Sequence, residues 1–232
     1  MVPTCICRPQ RIFNVNDRVG FRLALLSNFL FRFLFWDGQV VDLDTAKKKL
    51  RVAAERKRGL IDNESAVAAG HAIAERFFNS WSPTAGSVIS GFWPFRREID
   101  TRPLMQALCD RGYTIALPET VSIGKPLLFR EWDFQSDLEV DAYGIPSPSR
   151  AAALVSPDWL LVPLLAFDVS GYRLGYGGGF YDITLYSLAN KKKIYTIGVT
   201  YDSQEVACVP RNDRDRRLDA ILTEKRTITI GN

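Results

Sequence analysis

The sequence holds a single histidine among 232 residues. Metal centres built on histidine clusters are thereby excluded, and His71 itself, inside a predicted helix, reads as a surface or packing residue in preference to a ligand. Cysteine is nearly as scarce: Cys5, Cys7, Cys109 and Cys208 form no C-x-x-C pair and lack histidines at zinc spacing, so reduced thiols are the default. A spanning helix needs roughly 20 mostly apolar residues, and the richest stretch, Phe21 to Trp36, is broken by Arg22, Asn28 and Arg32. Two familiar phosphate loops are missing as well. The spacing G-x-x-x-x-G-K-[ST] does not occur, and G-x-G-x-x-G fails because Phe180 stands where its last glycine belongs. Internal repeats are absent. The net charge of +4 is too small to announce a nucleic-acid partner.

What is present is the composition of a globular protein, with 47% hydrophobic and 24% charged residues, long enough for one domain plus an extension. The extension is residues 1–42, whose basic residues are all arginine and which end in the apolar stretch named above. It has three readings: a targeting-like amphipathic leader, an apolar arm, or translated sequence upstream of the true start. The last ranks first, because regular patterning begins only near Leu43. Residues 43–232 are expected to form one α/β domain.

Asp44 is placed to cap a helix through Lys47, Lys48, Lys49, Leu50 and Arg51, in which Lys47 and Arg51 share a face. Its basic residues are either a solvated face or a source of cations for an anion. A second helix is predicted over Asn63 to Trp81, with Ala66, Gly70, Ile73, Phe77 and Trp81 as a core stripe. Strands are predicted at Ser87 to Trp93, Tyr113 to Leu117, Pro126 to Trp132, Trp159 to Leu165, Ile194 to Val199 and Leu218 to Thr223. Helices are predicted near Arg102 to Arg111 and Phe180 to Ala189. Strands interleaved with helices imply a sheet covered on both faces, with ligands at the carboxyl ends of its strands.

After one of those predicted strands comes the densest glycine cluster, Gly175-Tyr176-Gly177-Gly178-Gly179. Glycine reaches positive φ without steric cost, so such a loop can turn several backbone amides toward one phosphate, although a merely flexible loop has the same composition. Arg173 inside it offers a planar fork, and Phe180-Tyr181-Asp182 opens a helix whose N-terminus favours anions. Asp182 suits either magnesium or that helix N-terminus.

Phe167-Asp168 followed by Gly171-Tyr172-Arg173-Leu174-Gly175-Tyr176-Gly177-Gly178-Gly179-Phe180-Tyr181-Asp182 resembles the signature of the 5-formyltetrahydrofolate cyclo-ligase family, close to F-D-x-x-G-x-R-L-G-x-G-x-G-[YF]-Y-D. The resemblance extends in order from Lys47-Lys48-Lys49-Leu50-Arg51 through Glu98-Ile99-Asp100-Thr101 and Gly144-Ile145-Pro146 to Val209-Pro210 and Asp215, leaving residues 1–42 without a counterpart. It implies a three-layer α/β/α fold similar to ribose-5-phosphate isomerase and coenzyme A transferases. It also implies ATP-dependent cyclisation of 5-formyltetrahydrofolate to 5,10-methenyltetrahydrofolate, with magnesium.

By the same resemblance, Lys47 to Arg51 and Arg173 to Tyr181 would bind ATP, with Arg173 and Tyr181 closest to the chemistry. Arg51, Trp93, Glu98 and Tyr176 to Phe180 would contact the folate, Trp93 being as readily a sheet residue. Asp182 and Asp215 would hold Mg2+. A monomeric cytoplasmic enzyme is implied, without nucleic acid or membrane as partner. The alternative is a non-catalytic nucleotide- or RNA-binding relative, expected to have lost Arg173 and Asp182. Two departures bear on the folate: Ser147 stands where many members have glutamate, and Arg96-Arg97 place positive charge beside Glu98.

Overall fold

The computed structural model of the protein describes residues 34–36 and 39–231. Most of the proposed extension, and with it most of the apolar stretch Phe21 to Trp36, lies outside the described residues. Its end forms an antiparallel pair, β1 (Leu34–Trp36) with β2 (Gln39–Val41).

Helix α1 (Leu43–Gly59) is capped by Asp42, not by Asp44. Asp42 has extended backbone and its carboxylate accepts from the Thr45 amide at 3.0 Å, whereas Asp44 sits one position inside the first turn. Helix α2 (Asn63–Ser80) starts the same way, Asp62 accepting from Ser65. Its predicted stripe is core at Gly70, Ile73 and Phe77. Fully burying side chains such as Ile73 and Phe77 contributes about 1.5–3 kcal/mol each.

The remaining elements are β3 (Val88–Ser90), α3 (Arg102–Cys109), β4 (Thr114–Glu119), β5 (Leu128–Glu131), β6 (Leu138–Val140), β7 (Pro146–Pro148), β8 (Leu154–Val155), β9 (Trp159–Pro163), β10 (Ala166–Phe167), β11 (Arg173–Leu174), α4 (Phe180–Ala189), β12 (Tyr195–Val199), β13 (Ala220–Leu222) and β14 (Thr227–Thr229). The main sheet runs β14-β13-β12-β9-β3-β4-β5-β8. Its centre, β13 to β4, is parallel, and both edges are antiparallel.

Alternation along the strands divides the core in two. Ile89, Ile115, Leu117, Leu161, Ile197 and Leu222 face α2 and α3, while Ala116, Leu160, Val162 and Ile221 face α4 with its Leu185. The result is an α/β/α sandwich, as the element order implied. The predicted strand Ser87 to Trp93 keeps only three residues in the sheet, so Trp93 is free of strand pairing and stands in the loop beyond the strand's carboxyl end. Cys109 carries a free thiol.

Candidate active site

Helix α1 supplies one wall. Lys47, Arg51 and Glu55, four residues apart, project from one face into a cavity, while Lys48 and Lys49 turn to solvent by the helical period. Leu50 is buried against Leu165, Ala166, Leu174 and Val209. Three members of the Lys47 to Arg51 segment therefore do not reach the cavity. The Lys47 ammonium donates to both oxygens of Asp215, at 2.8 and 2.7 Å, and Arg51 Nε donates to the carbonyl of Gly175 at 2.9 Å.

The glycine loop is the second wall. After β9 the chain makes the β10–β11 pair, whose turn is fixed by buried Asp168, a carboxylate accepting from the amides of Ser170, Tyr172 and Val209. Arg173 follows with its side chain only 4% exposed. Nη1 donates to the Arg216 carbonyl at 2.7 Å and Nη2 to Asp182 Oδ1 at 2.8 Å; the Arg216 amide donates to the same oxygen at 2.9 Å. Gly179 occupies the N-cap of α4 at φ 70°, so no side chain caps that helix.

Gly177 has φ 105°, and a Cβ there would stand 3.2 Å from the Arg51 guanidinium. Both observations require glycine. Gly177→Ala is expected to cost about 1–3 kcal/mol of backbone strain and to displace Arg51. Thermal melting checks this, and a wild-type melting temperature would show that the position does not require glycine.

Trp93, Phe95, Arg96 and Glu98 make the third wall. Glu98 Oε2 accepts from the Phe95 amide at 2.9 Å, and Oε1 lies 4.0 Å from Arg58 Nη1. Burial is the main influence on the carboxyl and raises it from 4.5 to about 7, outweighing the Phe95 amide, the Arg58 charge and the Tyr176 hydroxyl, all of which lower it. Burial also pushes the Tyr181 phenol above its ordinary range, with the charge of Glu98 adding to the effect. Tyr181 is thus a neutral O–H donor.

These walls enclose one cavity of about 1070 Å³ beyond the carboxyl ends of β3, β4 and β9. Lys47, Arg51, Trp93, Glu98, Arg173 to Asp182 and Asp215 all line it. A family model for the 5-formyltetrahydrofolate cyclo-ligase family matches residues 44–224. The chain belongs to that family.

Among its relatives, the 5-formyltetrahydrofolate cyclo-ligase of Escherichia coli K12 is 33% identical over 178 residues, covering 74% of this chain and 96% of the relative. The cyclo-ligase of Mycolicibacterium smegmatis is 30% identical over 190 residues, covering 79% and 96%. The NMR structure of 5,10-methenyltetrahydrofolate synthetase from Aquifex aeolicus superposes with a TM-score of 0.63 at 26% identity, over 80% of this chain and 93% of the other. A Mycoplasma pneumoniae synthetase, at 20% identity, shares the fold with a TM-score of 0.62, covering 77% of this chain and 98% of the other.

Several lining residues of this cyclo-ligase family member carried no local signal. Tyr143 sets its ring 5.4 Å from Phe180, edge to face, from the turn between β6 and β7, and Arg216 joins the cavity from the charged run after Pro210. Their approach is a property of folding, not of spacing. Ser147 is buried in β7 and does not line the cavity. Arg96 does, ion-paired to Glu55 at 3.1 Å, whereas Arg97 donates to the Ile61 carbonyl beside an adjoining cavity of about 460 Å³ that shares Trp93, Arg96 and Glu98 with the first. No helix among the described residues is long and apolar enough to cross a membrane.

No group of three histidine, cysteine, aspartate or glutamate side chains gathers for a metal among the described residues. Magnesium does not require one, since it is commonly held by one or two carboxylates together with substrate phosphates. Asp182 and Asp215 are hard oxygen donors on the cavity wall, each paired in this structure with a cation, Arg173 and Lys47 respectively.

Proposed function

We propose that the cavity binds ATP along α1 and the glycine loop, binds 5-formyltetrahydrofolate against Trp93 and Glu98, and closes the folate to 5,10-methenyltetrahydrofolate with release of ADP and phosphate. The activity is that of the family to which the chain belongs. One observation carries the assignment of the site: a single cavity is lined both by the cations Lys47, Arg51 and Arg173 and by the acceptor Glu98 with the aromatic Trp93. A triphosphate needs the first set, and a flat ring edged with N–H groups needs the second.

The chemistry follows from a poor leaving group. The formyl oxygen is expelled readily only after phosphorylation, so it attacks the γ-phosphate, ADP departs, N10 adds to the activated carbon and loses its proton to solvent, and phosphate leaves with the former formyl oxygen. The protein supplies positioning and charge, with no covalent nucleophile. Lys47 and Arg51 hold the nucleotide phosphates, the Gly175 to Gly179 backbone wraps them, and Arg173 stabilises the charge that develops on the transferring group. Tyr181 donates its O–H near the formyl oxygen. Glu98, when ionised, accepts from the amino and ring N–H groups of the pterin. Magnesium held by Asp182 and Asp215 would neutralise phosphate charge. The same reading carries a monomeric, cytoplasmic enzyme without nucleic-acid or membrane partners.

Purified protein with magnesium, ATP and 5-formyltetrahydrofolate is expected to develop the near-ultraviolet absorbance of the methenyl product, and to need ATP for it. Folded protein that produces none would overturn the proposal.

A further inference from the structure

We propose that Arg58, which does not line the cavity, is a positioning residue that holds Glu98 and Tyr176 in the arrangement that receives the folate ring. The inference rests on the reading that Glu98 accepts the pterin N–H groups. Arg58 follows Lys47 by eleven residues, three helical turns, so it lies on the same face of α1 as the nucleotide-facing cations. It is 2% exposed. A cation so deeply buried is costly unless its surroundings compensate it, and two segments remote in sequence do so. Nη2 donates to the Tyr176 hydroxyl from the glycine loop, and the guanidinium lies 5.7 Å from the centre of that ring. Nη1 faces Glu98 at 4.0 Å and makes no hydrogen bond.

The contrast with the other buried arginines is informative. Arg130 and Arg173 grip carboxylates at 2.7 and 2.8 Å. Arg58 attracts Glu98 electrostatically without occupying its acceptor positions, which a direct pair would consume. Glu98 is thereby oriented by the Phe95 amide on one oxygen and the Arg58 charge on the other side, with acceptor capacity left for a ligand. The charged and titratable groups facing it are Arg58 from α1, Tyr176 from the glycine loop and Tyr181 from α4. Arg96 stacks over Tyr176 at 5.7 Å on the rim. One guanidinium therefore ties the nucleotide loop to the folate acceptor.

The test compares Arg58→Met, Arg58→Lys and Glu98→Gln by separate KM values for folate and ATP, by the pH profile of kcat/KM for folate, and by thermal melting. Arg58→Met is expected to raise the folate KM about tenfold or more, beyond any change for ATP, as loss of a charged partner implies. It is also expected to move the acidic limb of the profile to higher pH, since the cation favouring ionised Glu98 is gone. Arg58→Lys keeps the charge and loses the fork, so the limb returns while the folate KM stays elevated. A lowered melting temperature with wild-type folate KM and limb would make Arg58 merely structural and overturn the inference. If Arg58→Met does not fold, an unchanged folate KM in Arg58→Lys overturns it equally. Should Glu98→Gln leave folate KM untouched, the folate-acceptor reading of Glu98 fails instead, a result separable from the first.

Discussion

Arg173→Ala is expected to lower kcat/KM for ATP about a thousandfold, the order by which arginines that stabilise a transferring phosphoryl group act. The structure adds a second reason for a large effect. Arg173 is buried, and its two donors hold Asp182 and the Arg216 carbonyl in place. Removing it leaves Asp182 without its cation and frees the segment that carries Asp215. Stability should fall by about 2 kcal/mol, less than for a fully buried pair because the Asp182 side chain is 29% exposed. Arg173→Lys separates the effects: it keeps the charge but cannot serve both partners from one plane, so it should recover stability better than turnover. Turnover at saturating folate with varied ATP, beside thermal melts, makes the measurement. Wild-type ATP dependence in folded Arg173→Ala would remove the loop from the nucleotide site.

Glu98→Gln is expected to have the next largest effect, about a hundredfold on kcat/KM for folate near pH 8, because a carboxylate that accepts charge-assisted bonds is replaced by an amide half of which is a donor. The pH dependence has a definite sign. With the free-enzyme carboxyl at about 7, the charged acceptor is lost as pH falls, so kcat/KM for folate should drop about tenfold per unit below that value. Glu98→Gln should abolish this limb.

Stability runs the opposite way. The folded-state value lies above the ordinary 4.5, so the fold binds the extra proton and loses stability as pH rises from 4.5 through about 7, by about 3 kcal/mol at most. Glu98→Gln should therefore melt higher than the parent at pH 8 while working worse. A variant with both properties unchanged would show that Glu98 is neither desolvated nor in contact with substrate.

The sequence by itself determined the fold class and the family, because both are written in local patterns. Period-2 and period-3.6 apolar spacing placed the central strands and helices, and the run from Phe167 to Asp182 is a contiguous signature whose glycines answer backbone requirements of the same few residues. Boundaries were less legible. Asp44 and Asp42 both precede a helix-forming run, and only the backbone at Asp42 and its bond to the Thr45 amide decide which one caps. Within Lys47 to Arg51, the motif groups five residues that the helical turn then divides between cavity, solvent and core.

Tertiary structure decided what depends on segments far apart. Lys47 and Asp215 meet across 168 positions, and Arg58 and Tyr176 across 118. Nothing in either neighbourhood specifies the other, since their approach follows from how α1 and the loops after β9 and β12 pack at one end of the sheet. The raised carboxyl of Glu98 has the same origin. Its cause is the exclusion of water by surrounding walls, a property that an isolated Glu-Ile-Asp-Thr segment does not possess.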